Sequence, residues 1–427
     1  MKTTTMRPVA IIAGSRTPFT RSFTNYQKTT NKDLMIATLQ NLVNKTKLNN
    51  VRLGDVSTGA VMKNAEDWNM TRESVLKSGL HPHTPGYDVQ RACGTGLETA
   101  AHIALKIASG QIESGIAGGT DTNSDVMGVF SHEFSWLMME LQKAKSLGDK
   151  LKVLTKMKPQ FLKPLFPVVM EPQTGLSMGQ HTELMVQEWG ITQKDQDQLA
   201  FESHQKAAKA YADGFFDDLV FEYKGIKKDT ILRPDTTLEK LAKLKPAFDF
   251  TGKGTLTAGN STALTDGASA VLLGSEDFAD KHKLPILAYF VDAEYSAVDF
   301  VKGEGLLMAP TFAVSRLLDR NGLTLQDFDF VEIHEAFAGQ VLCTLKAWES
   351  EKYCVEKLGR KEAMGSIDRA RLNVNGSSLA LGHPFAATGG RIVASLAKML
   401  AKKGSGRGLI SICTAGGMGV AAIIERP

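Results

Sequence analysis

The sequence predicts an α/β fold made of two similar halves, and three observations carry that expectation. Short apolar runs alternate with helical stretches, the pattern of a mostly parallel sheet covered by helices. A reactive side chain stands just before a helix twice, Cys93 in VQRACGTGLETA and His383 in GHPFAATGGR (Gly382–Arg391). The first apolar run, VAIIAG, is echoed by ILAYFVDAEY (Ile286–Tyr295), as if each half opened on the same strand.

The elements follow in order. Val9 begins five apolar residues in a row, too few for a signal-peptide core and suited to a buried strand. After Cys93, Leu97, Ala101, Ala104 and Ala108 recur at helical spacing until Gly110, and GIAGG (Gly115–Gly119) reads as the next strand. In the second half, Ile392, Leu396 and Met399 share one face of a helix that Gly404 ends, and the strand LISIC follows. Gly408–Ile424 is 17 residues without a charge. It is shorter than the ~20 residues a membrane helix needs, and it reads as two buried strands joined at Gly416-Gly417.

A different region separates the halves, giving expected domains of 1–120 with 251–280, an insertion at 121–250, and 281–427. Thr192 to Asp195 is a capping box for a helix reaching Gly214, with Leu199, Ala200, Ala207 and Ala210 among its apolar residues. Before it, Trp136–Val169 mixes Leu, Met and Phe with Lys143, Lys145, Lys150, Lys152, Lys156, Lys158 and Lys163, against only Glu140 and Asp149. Such a segment suits a peripheral contact with an anionic membrane, through residues 136–168, or a protein partner. A solvated helix pair covering the active site accounts for the same pattern.

With 427 residues there is room for two or three domains or one large duplicated unit. A net charge of +4 gives no reason to expect a nucleic-acid partner. Four cysteines are far too few for a disulfide scaffold, so a reducing, cytoplasmic setting is expected.

Cys93 and Cys413 carry the chemistry best. A helix N-terminus favours a thiolate, which fits a nucleophile at Cys93. Cys413 ends LISIC beside the flexible TAGGMG turn, where a thiol could give or take a proton. Singly, each candidate has a plain structural explanation: a buried thiol, a turn histidine in Gly-His-Pro, a strand-end His334. His102 and His204 read as structural or surface residues.

Together the motifs say more. RACGTG, TAGNSTALTDGASA, HEAFAGQ, NVNGSSLALGHPFAATGGR and CTAGGMG occur in this order along the chain. From RTPF (Arg16–Phe19) to the last strand, the sequence resembles the thiolase family. The resemblance implies duplicated βαβαβαββ halves in five αβαβα layers, an inserted loop domain, and a homodimer or tetramer. It implies no metal and no tightly bound cofactor, with coenzyme A as substrate beside a 3-ketoacyl-CoA. Cys93 matches the acyl-accepting nucleophile, His383 the base that takes its proton, and Cys413 the acid that protonates the acetyl-CoA carbanion. Backbone N–H groups of Cys93 and Ala415 match one oxyanion site; His383 and a water held by the residue before EAF match the other.

That residue is commonly Asn and here is His334, which resembles β-oxidation thiolases of the trifunctional-protein β-subunit type and their bacterial counterparts. GHPFAATG, LQKAKSLGDKL and LEKLAKLKPAF (Leu238–Phe248) point the same way. This branch implies medium- or long-chain substrates and a hydratase/dehydrogenase α-subunit. For CoA contacts the resemblance offers Arg233, Thr262 and Met178, with Ser177 where short-chain biosynthetic relatives often carry His. The alternatives are a biosynthetic acetyl-CoA C-acetyltransferase, a ketoacyl synthase-type condensing enzyme, and a non-catalytic scaffold subunit.

Overall fold

The long strands are apolar on both faces, so each sheet must be covered on both sides. The computed structural model describes residues 6–427, and Lys2, the basic residue at the N-terminus, lies outside them. The first sheet runs in the order Tyr87–Asp88, Asp55–Thr58, Ser114–Asp121, Thr265–Gly274, Ala10–Arg16. The second runs Phe330–Ile333, Gly406–Thr414, Met418–Arg426, Ala288–Ala297, with Leu372 bridging Val331 at the outer edge. Strand order and the succession of parallel and antiparallel pairings are the same in both. The two sheets meet where Ala10 and Ile11 pair with Tyr289 and Ala288. The echo between VAIIAG and ILAYFVDAEY is therefore real, and these two strands are the seam.

Alternation along the strands sorts the layers. Ile11, Ala117, Val271 and Leu273 of the first sheet face Ile410, Ile412, Val420, Ala422 and Ile424 of the second across two helices, Thr95–Ala108 and Ala387–Lys403. Their neighbours Ala10, Ile12, Ile116, Ala270 and Leu272 point outward onto Leu34, Met35, Leu39 and Leu42 of the Asn31–Thr46 helix. Leu409, Ala421 and Ile423 do the same on the far side, against the Ala309–Asn321 and Ala338–Glu349 helices. The result is helix, sheet, helix, sheet, helix.

The two central helices approach through glycine. A Cβ on Gly96 would lie 2.7 Å from both the Ala386 carbonyl oxygen and the Gly390 nitrogen. One on Gly389 would fall onto the backbone of Gly96 and Leu97, and one on Gly119 onto the Ala386 carbonyl. These are backbone-to-backbone approaches, where no side chain can swing aside.

The insertion between Asp121 and Thr265 divides into two kinds of structure. The Gln193–Ala212 helix starts at the Thr192 capping box and sends Ala207, Ala210 and Tyr211 into the central core. Asp229 pins this region to RTPF: it accepts from Arg16 at 2.6 and 2.7 Å, from the Phe19 backbone at 2.6 Å and from the Tyr211 hydroxyl at 2.7 Å. The lysine-rich part instead forms two short helices, His132–Lys143 and Leu147–Leu154, in which Leu137 alone is buried. Trp136, Leu147, Leu151, Phe166 and Val168 stay exposed among the lysines.

At the C-terminus, Gly406–Thr414 and Met418–Arg426 pair antiparallel around a turn where Gly416 and Gly417 take φ of 77° and 69°. The uncharged run is thus two strands, and no helix among the described residues is long and apolar enough to cross a membrane.

Replacing Gly389 by Ala is expected to cost about 1–3 kcal/mol or more through forced overlap. Gly148→Ala in the second exposed helix, whose Cβ would meet only Ser146 Oγ at 3.9 Å, is expected to be neutral or slightly stabilising. Thermal unfolding midpoints of the two variants check this contrast.

Candidate active site

Cys93 precedes Gly94, which caps the Thr95–Ala108 helix. Ala92 just before it has a φ of 44°, a left-handed conformation that an L residue adopts at a cost of ~1–3 kcal/mol. His383 follows Gly382, whose φ of 104° turns the chain into the loop before the Ala387–Lys403 helix. Because the helix entrances touch through glycine, these two side chains meet: His383 Nε2 lies 3.1 Å from Cys93 Sγ. The other ring nitrogen, Nδ1, is 2.6 Å from Thr388 Oγ1. An Nδ1–H donated to Thr388 leaves Nε2 free to accept the thiol proton.

His334 packs against His383 with ring centroids 4.1 Å apart and the rings tilted by 47°. Its Nδ1 is 2.8 Å from Ser378 Oγ, while its Nε2 is buried without a partner. One nitrogen of each ring and the Cys93 sulfur all fall within 4.8 Å of one another. Among the described residues this is the one cluster of histidine, cysteine and acid spaced to hold a metal ion. A thiol and two imidazoles would suit a soft cation.

Dryness sets the charges. Burial, opposed by the backbone N–H groups of Ala415 and Cys93, pushes the Cys93 thiol up to about 12. Burial, with Arg391 nearby, pushes His383 down to about 3, and it holds His334 well below its ordinary range. The free enzyme therefore carries a neutral thiol beside neutral imidazoles. The expectation that the helix N-terminus would favour the thiolate is corrected here: desolvation outweighs it.

Cys93 and His383 open onto a cavity of about 370 Å³, within the usual range for small-ligand sites, while His334 is fully buried against His383 and is not among the lining residues. Cys93, His383 and Ala415 line it together with Val61, Val169, Met170, Phe248 and Phe385. Ser177, Met178 and Thr262 line it as well. Arg233 is not among the lining residues, and its backbone N–H is held by His204 Nδ1 at 3.2 Å. Cys413 is also off the lining, buried behind it in an apolar cluster with Ala336 and Phe337. Burial pushes its thiol well above the ordinary range, and the nearby Cys93 adds to the shift. Both cysteines are free thiols.

Family models fit this arrangement over nearly the whole chain. The model of the thiolase N-terminal domain matches residues 9–277, and that of the thiolase C-terminal domain matches 284–426. The chain belongs to the thiolase family. A 3-ketoacyl-CoA thiolase of Yersinia pestis (strain Pestoides F) is 39% identical over 423 residues, spanning 98% of this chain and 96% of that relative. Among solved structures, human mitochondrial 3-ketoacyl-CoA thiolase is similar with a TM-score of 0.80 and 29% identity, covering 99% of each chain. The acetyl-CoA acetyltransferase of Bacillus anthracis is similar with a TM-score of 0.82 and 29% identity, covering 99% of this chain and 100% of that one.

Two carboxylates organise this thiolase site without any motif that pointed to them. Asp121, ending its strand, accepts from the backbone of Val61 at 2.9 Å, Met62 at 2.7 Å and Ala386 at 2.8 Å. It thereby ties the His383 loop to the first half, and burial pushes it up to about 7. Glu171 of the insertion accepts from Gly416 N–H at 2.8 Å, clamping the cavity's outer wall to the turn after Cys413. Both signals are tertiary, since the donors come from segments remote in sequence.

A neutral thiol whose ionisation is pushed up reacts faster as the pH rises. Alkylation of Cys93 by iodoacetamide in the free protein should therefore increase about tenfold per unit from pH 6 to 9. A rate flat with pH in this range would mean a preformed thiolate–imidazolium pair instead.

Proposed function

We propose that the chain is a 3-ketoacyl-CoA thiolase, cleaving 3-ketoacyl-CoA with CoA to acetyl-CoA and an acyl-CoA two carbons shorter. The single observation that carries this reading is the Cys93 sulfur at 3.1 Å from His383 Nε2, on the wall of an apolar cavity. His383 takes the thiol proton as sulfur attacks the 3-keto carbon. The developing oxyanion faces the N–H groups of Cys93 and Ala415, which already lie close enough to the sulfur to oppose its desolvation.

Cleavage of the bond between C2 and C3 leaves the acyl group on Cys93 and the electron pair on the acetyl-CoA enolate. Nε2 donors of His383 and His334 stabilise the enolate oxygen. Cys413, whose thiol keeps its proton because it is buried, protonates the enolate carbon. The CoA thiol then gives its proton to the Cys413 sulfur and attacks the thioester, and His383 returns its proton to Cys93.

Cavity composition favours acyl chains longer than four carbons in a β-oxidation role. Val61, Val169, Met170, Phe248 and Phe385 offer apolar wall, and Ser177 leaves no histidine at the position short-chain relatives use. Arg233 would meet the CoA nucleotide outside the cavity. Exposed Trp136, Leu147, Leu151 and Phe166 among the lysines support docking of 136–168 on an anionic membrane or on a hydratase/dehydrogenase α-subunit. We place this activity in a cytoplasmic homodimer or tetramer.

Cys93→Ala should lower thiolysis by at least ~10⁴-fold, the scale on which losing a covalent nucleophile is felt. A series of 3-ketoacyl-CoA substrates should give a higher kcat/KM at sixteen carbons than at four; the reverse order would make the chain an acetoacetyl-CoA enzyme. Deleting Trp136–Lys163 should abolish either co-sedimentation with anionic liposomes or capture of an α-subunit, and retention of both would rule out docking there.

A further inference from the structure

Resting on the thiolase reading, the role of His334 turns on which of its ring nitrogens carries the proton. Arg391 is buried, and its guanidinium donates to Ser378 Oγ at 3.0 Å and to Ser377 Oγ at 3.3 Å. A guanidinium has only donors, so at this contact the Ser378 hydroxyl oxygen must accept. The Ser378 proton then has to be placed elsewhere, and His334 Nδ1 lies 2.8 Å away. If Nδ1 carried a proton it would donate to an oxygen already accepting from Arg391, and the buried hydroxyl proton would be stranded. Leaving a buried donor unpaired costs enough to select a tautomer.

We propose that Ser378, oriented by Arg391, is a positioning residue that locks His334 as the Nε2–H tautomer and so presets its donor for the enolate oxygen. Three further observations fit. His334 Nε2 is buried and without a partner in the free site, as a donor reserved for a substrate oxygen would be. The ring sits against His383, whose own Nε2 faces Cys93, so once His383 holds the Cys93 proton two donors converge from neighbouring rings. Burial of the ring, with His383 and then Arg391 adding to it, holds His334 well below its ordinary range, which keeps the ring neutral and makes the tautomer matter. Ser378 opens the short Ser378–Leu381 helix and Arg391 lies on the Ala387–Lys403 helix, so the relay links two elements flanking His383.

The test compares Ser378→Ala and Ser378→Thr with the unaltered full-length protein. Thiolysis kcat is expected to fall at least tenfold in Ser378→Ala with KM changed less than threefold, and Thr should restore kcat to within about threefold. Iodoacetamide alkylation of Cys93 should keep its rate in both variants, because the Cys93–His383 pair is untouched. Independently of turnover, long-range proton–nitrogen spectra of histidine-labelled protein should show His334 wholly as the Nε2–H form, and a mixture of tautomers in Ser378→Ala. An unchanged tautomer in Ser378→Ala, or an Nδ1–H form in the unaltered protein, overturns the proposal. So does a kcat loss that Thr fails to rescue while alkylation falls in parallel, which would mark a general structural defect. Absence of thiolysis in the unaltered protein would instead count against the thiolase reading, and the spectra would still decide the tautomer.

Discussion

The close approach of Gly96 to Gly389 and Gly390 governs everything around it. Two helices from different halves of the chain touch backbone to backbone at their N-terminal ends, and a single Cβ on either side would separate them. Their reactive side chains lie one short loop upstream of that contact, so the separation of Cys93 and His383 is fixed by glycine. Duplication supplies the rest. Each half brings one helix entrance, the sheets sandwich both helices, and the seam between Ala10–Ile11 and Ala288–Tyr289 holds the halves in register.

The second constraint is dryness. With the helices in contact and sheets on either side, His334, His383 and Cys413 are buried and Cys93 is partly so, and burial disfavours the charged forms of these thiols and imidazoles. Thiols rise and imidazoles fall. In the proposed mechanism no ion pair precedes the substrate, and proton transfer is coupled to the formation of an oxyanion that fixed donors receive. Carboxylates are kept at a distance and used as clamps: Asp121 gathers N–H groups from Val61, Met62 and Ala386, and Glu171 holds the Gly416 turn.

Much of this was legible in the residues, for physical reasons that differ from case to case. The seam strands and the central helices announced themselves because apolar periodicity and glycine stops are local properties. Cys93 and His383 were readable because each sits at a helix entrance in a long motif, and the capping box at Thr192 marks a helix start that the structure keeps. Charge state was not readable: the helix N-terminus argued for a thiolate, and only the packed neighbours show that burial wins. Asp121 and Glu171 were silent because their partners are assembled by tertiary folding. The lysine-rich segment was legible as amphipathic, yet its exposed apolar side chains could be recognised only once the helices were seen to bury little beyond Leu137.

The central claim is that the glycine contact delivers Cys93 as the acyl acceptor, with Cys413 placed behind as a proton carrier. Mixing the protein with a 3-ketoacyl-CoA in the absence of CoA, followed by intact-mass measurement and peptide mapping, tests it most directly. The account predicts a mass gain equal to the shortened acyl group, carried on the peptide containing Cys93. An acyl group found on Cys413, or no acyl adduct while acetyl-CoA is still released, would contradict it.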